Sequence, residues 1–209
     1  MQRSSLFTPP ASIYALFWRT LMWLPLMFFL WVLNAPIFHF PLALAMQALS
    51  WLDVPSWLMD VEQGARTFNF ITSLKPPSGD TAFSASARVT TEVNGLLYTC
   101  GLPLLAALTL AAAQKRWLRA LVLGYFILLP FQLIAVYATG LKQLAFDMGP
   151  IVAQQMEFSR YQNTALAFIY QYYTLIMPPV TALLAWFFTH RETVQRFVRD
   201  GLPMKAKPA

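Results

Sequence analysis

Cys100 is the one cysteine of the chain and the residue whose type could supply a nucleophile. A thiol reacts as a thiolate when a nearby cation or base lowers its pKa. Arg160 and Lys142 are the candidate partners, and both lie on segments that flank the predicted helices. Their spacing from Cys100 in the sequence does not show that either cation lies next to the thiol. A cysteine within an apolar helix is more often a small packing residue. Both interpretations therefore stay open for Cys100.

A second set of polar residues occurs within or beside long apolar segments: Tyr98, Gln132, Lys142, Gln171 and Tyr172. Counting residues along the predicted helices places all five at a similar depth, near one end of a bundle. Polar side chains from three helices would then converge. Such side chains either bond neighbouring helices together or line a binding site. The sequence predicts a binding role for these five residues.

Other chemistry is not indicated by the residue pattern. A single cysteine leaves no internal disulfide and no paired-cysteine metal motif. His39 and His190 lie far apart in the sequence, and glycine-rich nucleotide-binding patterns and zinc-protease patterns are missing. We therefore predict no cofactor and no metal site.

The composition indicates a membrane protein. Hydrophobic residues make up 57% and charged residues only 11% of the 209 positions, whereas soluble domains carry roughly 25% charged residues. Segments of about 20 apolar residues are long enough to cross a bilayer. Four such spans are predicted, at residues 16–35, 95–113, 120–141 and 164–188. The first is predicted to be an uncleaved anchor; a signal peptide is the alternative, although the apolar stretch exceeds a signal core.

The region between the first two spans has two parts. Residues 36–59 are apolar but interrupted by prolines, which predicts a segment lying in the outer interface, with a re-entrant hairpin as the alternative. Within residues 60–94, the β-prone segments 66–74 and 83–93 are separated by a Pro-Pro-Ser-Gly-Asp turn. These predict a short extracytoplasmic β-hairpin. An isolated hairpin is marginally stable, so it must lean on the helices or on a partner.

Each predicted span contains proline: Pro25, Pro103, Pro130 and the pair Pro178-Pro179. A proline inside a helix leaves a backbone carbonyl unbonded and kinks the axis. In lipid such carbonyls need a neighbouring helix or trapped water. The prolines therefore predict kinks, with either packing geometry or a hydrated pocket as their purpose.

The charges predict the orientation. Ten of the fifteen basic residues fall on one side of the predicted spans, and seven of the nine acidic residues fall on the other. Basic residues accumulate on the cytoplasmic side, so the chain is predicted to lie in the bacterial inner membrane with both termini cytoplasmic. The tail, residues 189–209, is predicted to form a short helix that lies on anionic lipid or docks a partner. The net charge of +6 follows from this topology, and nucleic-acid binding is not predicted.

One run of residues resembles a known family. Asn94 is followed by Tyr98, Gly101, Leu102 and Pro103 in the order Asn-x-x-x-Tyr-x-x-Gly-Leu-Pro. This run resembles that of exosortase H-associated membrane proteins. The likeness continues through four later segments: residues 128–132, 141–146, 170–172 and 178–179. The resemblance implies an accessory of a bacterial protein-sorting system in which an exosortase processes proteins with a C-terminal sorting tail.

The exosortases themselves resemble this chain less well. Their Cys-Ser-Gly-type motif would correspond to Cys100-Gly101, which lacks the serine, and residues 136–144 contain no arginine for their Asn-x-x-Arg-like motif. We therefore predict an all-α membrane protein, a four-helix bundle with a hairpin, that acts as a non-catalytic accessory. Its partners would be membrane lipids and an exosortase or its sorting-tail substrate, with residues 66–93 as the docking element. The alternatives are a cysteine transpeptidase using Cys100, and a small transporter or lipid-binding bundle.

Overall fold

The computed structural model describes residues 9–51, 57–76 and 88–201, so the predicted turn of the hairpin and residues 202–209 of the tail lie outside it. The described chain is mostly helical, with one small sheet. The helices are α1 Ile13–Leu33, α2 Ala35–Trp51, α3 Gly95–Thr99, α4 Gly101–Ala111, α5 Trp117–Lys142, α6 Pro150–Gln155, α7 Arg160–Leu175, α8 Met177–Thr189 and α9 Arg191–Gly201. A π-helical segment, Gln143–Asp147, extends α5. The strands are β1 Leu58–Gln63, β2 Thr67–Thr72 and β3 Thr90–Asn94.

Within the described ranges, two helices are long and apolar enough to cross a membrane: Ile13–Leu33, and Trp117–Asp147 with its π-helical extension. Helices α7 and α8 meet at an angle of 60° and provide a third candidate if they form one broken span. Residues Gly95–Ala111 form a shorter apolar segment. The structure thus has two or three candidate spans where the sequence predicted four.

Prolines lie directly after the breaks in two of the predicted spans. Pro103 lies in the first turn of α4, directly after the turn at Cys100, and Pro178 and Pro179 lie in the first turn of α8. The first-turn N–H groups of a helix have no intrahelical acceptor, so a proline there loses no hydrogen bond. Pro25, Pro41 and Pro130, in contrast, lie inside continuous helices.

The sheet has three antiparallel strands in the order β1-β2-β3. The predicted pairing is present, with Phe68 opposite Val93. Strand β1 is additional to the predicted hairpin, and its residues cross the predicted boundary between the interfacial segment 36–59 and the region 60–94. A register shift between Leu58 and Asp60 interrupts the alternation of buried and exposed residues, so the two-residue period of a strand is not visible there.

The apolar face of the sheet packs against the helices of its own chain. Phe68, Phe70 and Val93 form one buried cluster with residues of α2 and α5. Glycines make this approach possible: a Cβ at Gly95 would lie 2.7 Å from Cε2 of Phe68, and a Cβ at Gly140 would lie 2.9 Å from Cζ of Phe70. The hairpin therefore leans on the bundle, one of the two possibilities that the sequence left open. We call this end of the molecule the sheet end.

Helix α2 joins the sheet to the bundle through one buried stripe. That stripe consists of Ala35, His39, Leu42, Met46 and Ser50. Nε2 of His39 lies 2.9 Å from Oγ1 of Thr99, whose hydroxyl donates to the carbonyl of Gly95. Because the Thr99 proton is already committed, Nε2 of His39 must be the donor of the first bond. Its Nδ1 is buried without a partner among the described residues.

We expect the buried histidines to make the protein less stable as the pH falls. His39 and His190 lie outside the candidate spans, and burial lowers the pKa of each from 6.5 to about 4. Between these values the unfolded chain binds more protons than the folded one, so the free energy of unfolding decreases from about pH 6.5 downward. The midpoint of thermal unfolding in mild detergent, followed from pH 8 to pH 5, measures this decrease.

The control for this prediction is the pair His39→Gln and His190→Asn, which keeps a neutral hydrogen-bonding group near Nε2 of the first ring and Nδ1 of the second. The doubly substituted protein is expected to lose most of the slope between pH 6.5 and pH 5. An unchanged slope would show that other groups cause the pH dependence.

Candidate functional site

Tyr98 joins three helices at the sheet end. It is a buried residue of α3, and the side chains of Thr139 on α5 and Thr174 on α7 lie beside its hydroxyl. Each threonine donates its own proton to its helix backbone, Thr139 to Ala135 at 2.8 Å and Thr174 to Tyr170 at 2.7 Å. Each threonine oxygen can therefore only accept a further bond, and the single O–H of Tyr98 can donate to one of them at a time.

Lys142 is neutralised locally. Its Nζ lies 2.9 Å and 2.8 Å from the two carboxylate oxygens of Asp147, across the π-helical segment. It also lies 5.4 Å from the ring centroid of Tyr170, a cation–π distance. Lys142, Tyr98 and Tyr170 therefore belong to one neighbourhood. We call Tyr98, Thr139, Lys142, Tyr170 and Thr174 the tyrosine–lysine cluster.

Gln132 is buried next to this cluster without a described hydrogen-bond partner for either Oε1 or Nε2. It lines a cavity of about 10 Å³ together with Tyr98, Tyr173 and Thr181. Met177 and Pro178, at the break between α7 and α8, line the same cavity. That volume is at the lower limit for one water molecule. Buried side-chain amides usually have hydrogen-bond partners. The Gln132 amide, which lies beside the break between α7 and α8, is therefore an unusual polar group in this part of the core.

Replacing Gln132 with methionine is expected to stabilise the protein. The change removes two unsatisfied buried polar atoms at similar volume, which contributes about 1–3 kcal/mol. In a chain of this size that corresponds to a rise of several degrees, at about 2–4 °C per kcal/mol, in the thermal unfolding midpoint.

Gln143→Met is the matched control for Gln132→Met. The Gln143 amide is bonded on both sides, since its Nε2 donates to the carbonyl of Glu92 at 3.1 Å and its Oε1 accepts from Thr91. Gln143→Met is therefore expected to lower the unfolding midpoint. A fall of the midpoint in both variants would mean that Gln132 has partners in the folded protein.

Gln171 and Tyr172 are not part of the tyrosine–lysine cluster. Both are exposed on the outer face of α7. Gln171 lines a separate cavity of about 600 Å³ with Arg160 and Asn163, and the ring of Tyr172 packs edge-on against Tyr173. The predicted set of five is thus divided into two groups: buried Tyr98 and Gln132 with half-buried Lys142, and the exposed residues Gln171 and Tyr172.

Cys100 occupies the turn between α3 and α4 and is half-buried. Its side chain packs against a hydrophobic cluster formed by α1, α4, α5 and α8. Among the described residues, no hydrogen bond joins its thiol to a cation or to His39. Lys142 is bound to Asp147, and Arg160 lines the cavity on α7. The alternative catalytic set of Cys100, Arg160 and Lys142 is therefore not assembled in this structure.

Two polar contributors at this end were not predicted to be binding residues. Tyr170 belongs to the family-like segment 170–172 but is not among the five predicted binding residues, and its contact with Lys142 depends on the packing of α7 against α5. Asn163 precedes the apolar part of α7, and its buried Oδ1 has no described partner. Helical spacing within one element cannot reveal such contacts between elements.

Long apolar helices, a broken pair of helices and a small docked sheet define a helical membrane protein with a polar cluster at its sheet end. The sequence profile of the exosortase H-associated membrane proteins matches residues 10–193. The chain therefore belongs to the exosortase H-associated membrane protein family, which confirms the resemblance first noted at Asn94. No curated protein and no solved structure matches the chain.

Proposed function

We propose that this protein is a non-catalytic membrane accessory of a bacterial exosortase-type sorting system. It binds the exosortase, or the sorting tail of its substrate, at the sheet end. Family membership supports the association with an exosortase. The position and exposure of the polar groups on α7 support a binding role at this end.

The polar side chains that α7 exposes among apolar ones are the observation that carries this proposal. Arg160, Gln171 and Tyr172 are exposed on a helix whose partner, α8, continues as an apolar segment. Lipid hydrocarbon cannot hydrogen-bond a side-chain amide, and polar groups within membrane segments turn toward protein or water. We infer that a protein partner covers this face and satisfies Gln171.

The sheet has fewer free backbone hydrogen-bonding groups for a partner strand than an isolated hairpin would have. Strand β1 pairs with one edge of β2, and Gln143 bonds Thr91 and Glu92 at β3. The outward face of the sheet carries polar side chains, including Asn69 and Glu92. Residues 66–93 are therefore proposed to dock through these side chains rather than by adding a strand.

We propose four passes through the inner membrane, with the sheet end outside. Residues Gly95–Ala111 run between the same two ends as α5: Gly95 contacts Phe68, and Ala112 lines a cavity with Arg119 at the opposite end. Six described basic residues lie at that opposite end: Lys115, Arg116, Arg119, Arg191, Arg196 and Arg199. The positive-inside rule then places both termini in the cytoplasm.

Processing of a sorting-tail substrate in cells tests the non-catalytic role. Deleting the protein is expected to impair processing, whereas Cys100→Ala at normal protein level is expected to leave it intact. Loss of processing with Cys100→Ala at normal level would make this thiol the nucleophile and overturn the accessory function. Normal processing after deletion would also overturn it.

Photo-crosslinking from α7 tests the docking face. A photoreactive residue at Tyr172 is expected to give a crosslink to the exosortase or to the substrate tail. The matched control is Tyr14, an exposed aromatic residue on α1, which is expected to give none. Equal crosslinking from both positions, or crosslinking from Tyr14 alone, would contradict docking on α7.

A further inference from the structure

The end of the bundle opposite the sheet contains a large basic cavity of about 1020 Å³. We call this end the basic end. Three of its cations, Lys115, Arg116 and Arg119, come from the turn between α4 and α5 and the first turn of α5. Two more, Arg191 and Arg196, come from α9. Segments distant in the sequence therefore place five positive charges around one space.

These charges have little compensation among the described side chains. Glu192 is the one carboxylate among the lining residues, and none of the five cations is within salt-bridge distance of a described acidic side chain. Arg191 lies over the ring of Phe188, 5.5 Å from its centroid, which leaves its charge in place. Like charges held together repel one another, so an anion in the cavity would be stabilised and would stabilise the cavity in turn.

The position of α9 is fixed by contacts with the bundle. Nε2 of Gln114 donates to Oγ1 of Thr193 at 2.9 Å, and Thr193 is buried. Val194 and Phe197 pack against the main hydrophobic cluster. The predicted tail helix is therefore docked on its own chain, and the cavity between α9 and the α4–α5 turn is largely formed before any ligand binds.

The wall of the cavity is apolar along the bundle. Leu123, Phe126 and Ile127 of α5 and Phe188 of α8 line it. Leu123, Phe126 and Phe188 are among the exposed large hydrophobic residues, and α5 is a candidate span. A soluble anion would use the cations alone, whereas a molecule with an anionic head and hydrocarbon chains would use both surfaces.

We propose that this cavity binds the phosphate-bearing headgroup of an anionic membrane phospholipid, whose acyl chains lie along the apolar wall. Arginine pairs bidentately with phosphate oxygens, and the lipid phosphate lies at the depth where cations flank a span. The positive-inside rule accounts for basic residues at this end, but not for their arrangement around a cavity with an apolar wall. This site does not depend on the proposed association with an exosortase.

Native mass spectrometry of the full-length protein in mild non-ionic detergent tests the proposal. The protein is titrated with phosphatidylglycerol, with phosphatidylcholine and with inorganic phosphate. Phosphatidylglycerol is expected to bind most tightly. The triple variant Arg116→Gln, Arg119→Gln, Arg196→Gln is expected to bind it about a hundredfold more weakly, from the contribution of three basic residues near an anionic surface.

The matched control removes the same charge at the other end: Arg66→Gln, Lys75→Gln and Arg88→Gln, all at exposed positions. It is expected to bind phosphatidylglycerol like the unmodified protein. Equal losses in both triple variants, or equal affinity for phosphatidylcholine, would overturn the proposal. Binding of inorganic phosphate as tight as that of the lipid would assign the cavity to a soluble anion and overturn the lipid site.

A second measurement keeps the test decisive if the triple variant unfolds. Arg119→Gln alone is expected to weaken phosphatidylglycerol binding severalfold. Phe126→Ala removes part of the apolar wall and is expected to weaken lipid binding without changing the response to inorganic phosphate. Lipid binding unchanged in both single variants would refute the site.

Discussion

Replacing Gly101 with alanine is expected to destabilise the bundle by about 3 kcal/mol, the upper end of the usual range for overpacking. A Cβ at this position would lie 2.6 Å from the backbone carbonyl oxygen of Pro178 and 3.4 Å from Cδ2 of Leu128. A backbone oxygen cannot move away by changing a rotamer, so α4 and α8 would have to separate. Thermal unfolding in mild detergent, followed by circular dichroism, measures the loss.

Gly124→Ala is the matched control for Gly101→Ala. A Cβ at Gly124 would lie at a similar distance, 2.7 Å, but from Cδ2 of Leu105, the end of a flexible side chain. Gly124 lies inside α5, where alanine gains about 1 kcal/mol of helix propensity, whereas Gly101 is the first residue of α4 and gains less. A difference in stability well above about 1 kcal/mol therefore reports the clash. Equal stability of the two variants would mean that α4 and α8 do not approach as closely as the structure has them.

The contact at Gly101 also shows what the sequence could and could not predict about the helices. Apolar length located each of them, because crossing a bilayer sets a minimum length. Proline predicted a kink in every span, whereas helices end beside proline in only the second and fourth, and Pro25 and Pro130 lie inside continuous helices. Composition could not show that Cys100 and Ile176 would end one helix and start the next. A kink and a break leave the same sequence pattern, and packing between helices decides which of them forms.

Prediction of the sheet succeeded where alternation was regular. Phe68 and Phe70 are two residues apart and both are buried, and Val93 faces the same core. Strand β1 was missed because its register shift disrupts that period. The side chain of Gln143, which bonds β3 from the π-helical segment, is distant in sequence from its partners. No local pattern carries that information.

The polar residues were predicted from their depth along the helices. Depth orders residues along a helix axis but does not show which way they face around it. Tyr98 and Gln132 are buried in the bundle and Lys142 is half-buried, whereas Gln171 lies on the outside of α7. Residues 171 and 170 differ by about 100° around the helix axis, so Tyr170 faces Lys142 while Gln171 faces away. The basic cavity was missed for a related reason. Its cations were counted for orientation, but their meeting around one space depends on how α9 docks.

Phe70→Ala is expected to give the largest single loss of stability, about 3–5 kcal/mol for removing a fully buried phenylalanine. Phe70 is 1% exposed, and its ring lies where a side chain at Gly140 would be. Because this contact holds the sheet on α5, the loss should loosen the sheet before the helices. Trypsin cleavage at Arg66 and Arg88, both exposed, should become faster while the helical content is retained. Ile71→Ala, on the opposite face of β2, is the control and should leave cleavage unchanged.

A double substitution separates loss of this contact from general damage to the fold. Gly140→Leu alone forces a side chain into the Phe70 ring, whose Cζ would lie 2.9 Å from the new Cβ, and is expected to be destabilising. Combined with Phe70→Ala, the leucine enters the space that the ring has left. The double variant should then lose less unfolding free energy than the two single variants lose together, by about 1 kcal/mol or more, because residues in contact are energetically coupled. Purely additive costs would mean that β2 does not dock on α5 at Gly140, and the sheet would then be available for a partner to bind through its apolar face.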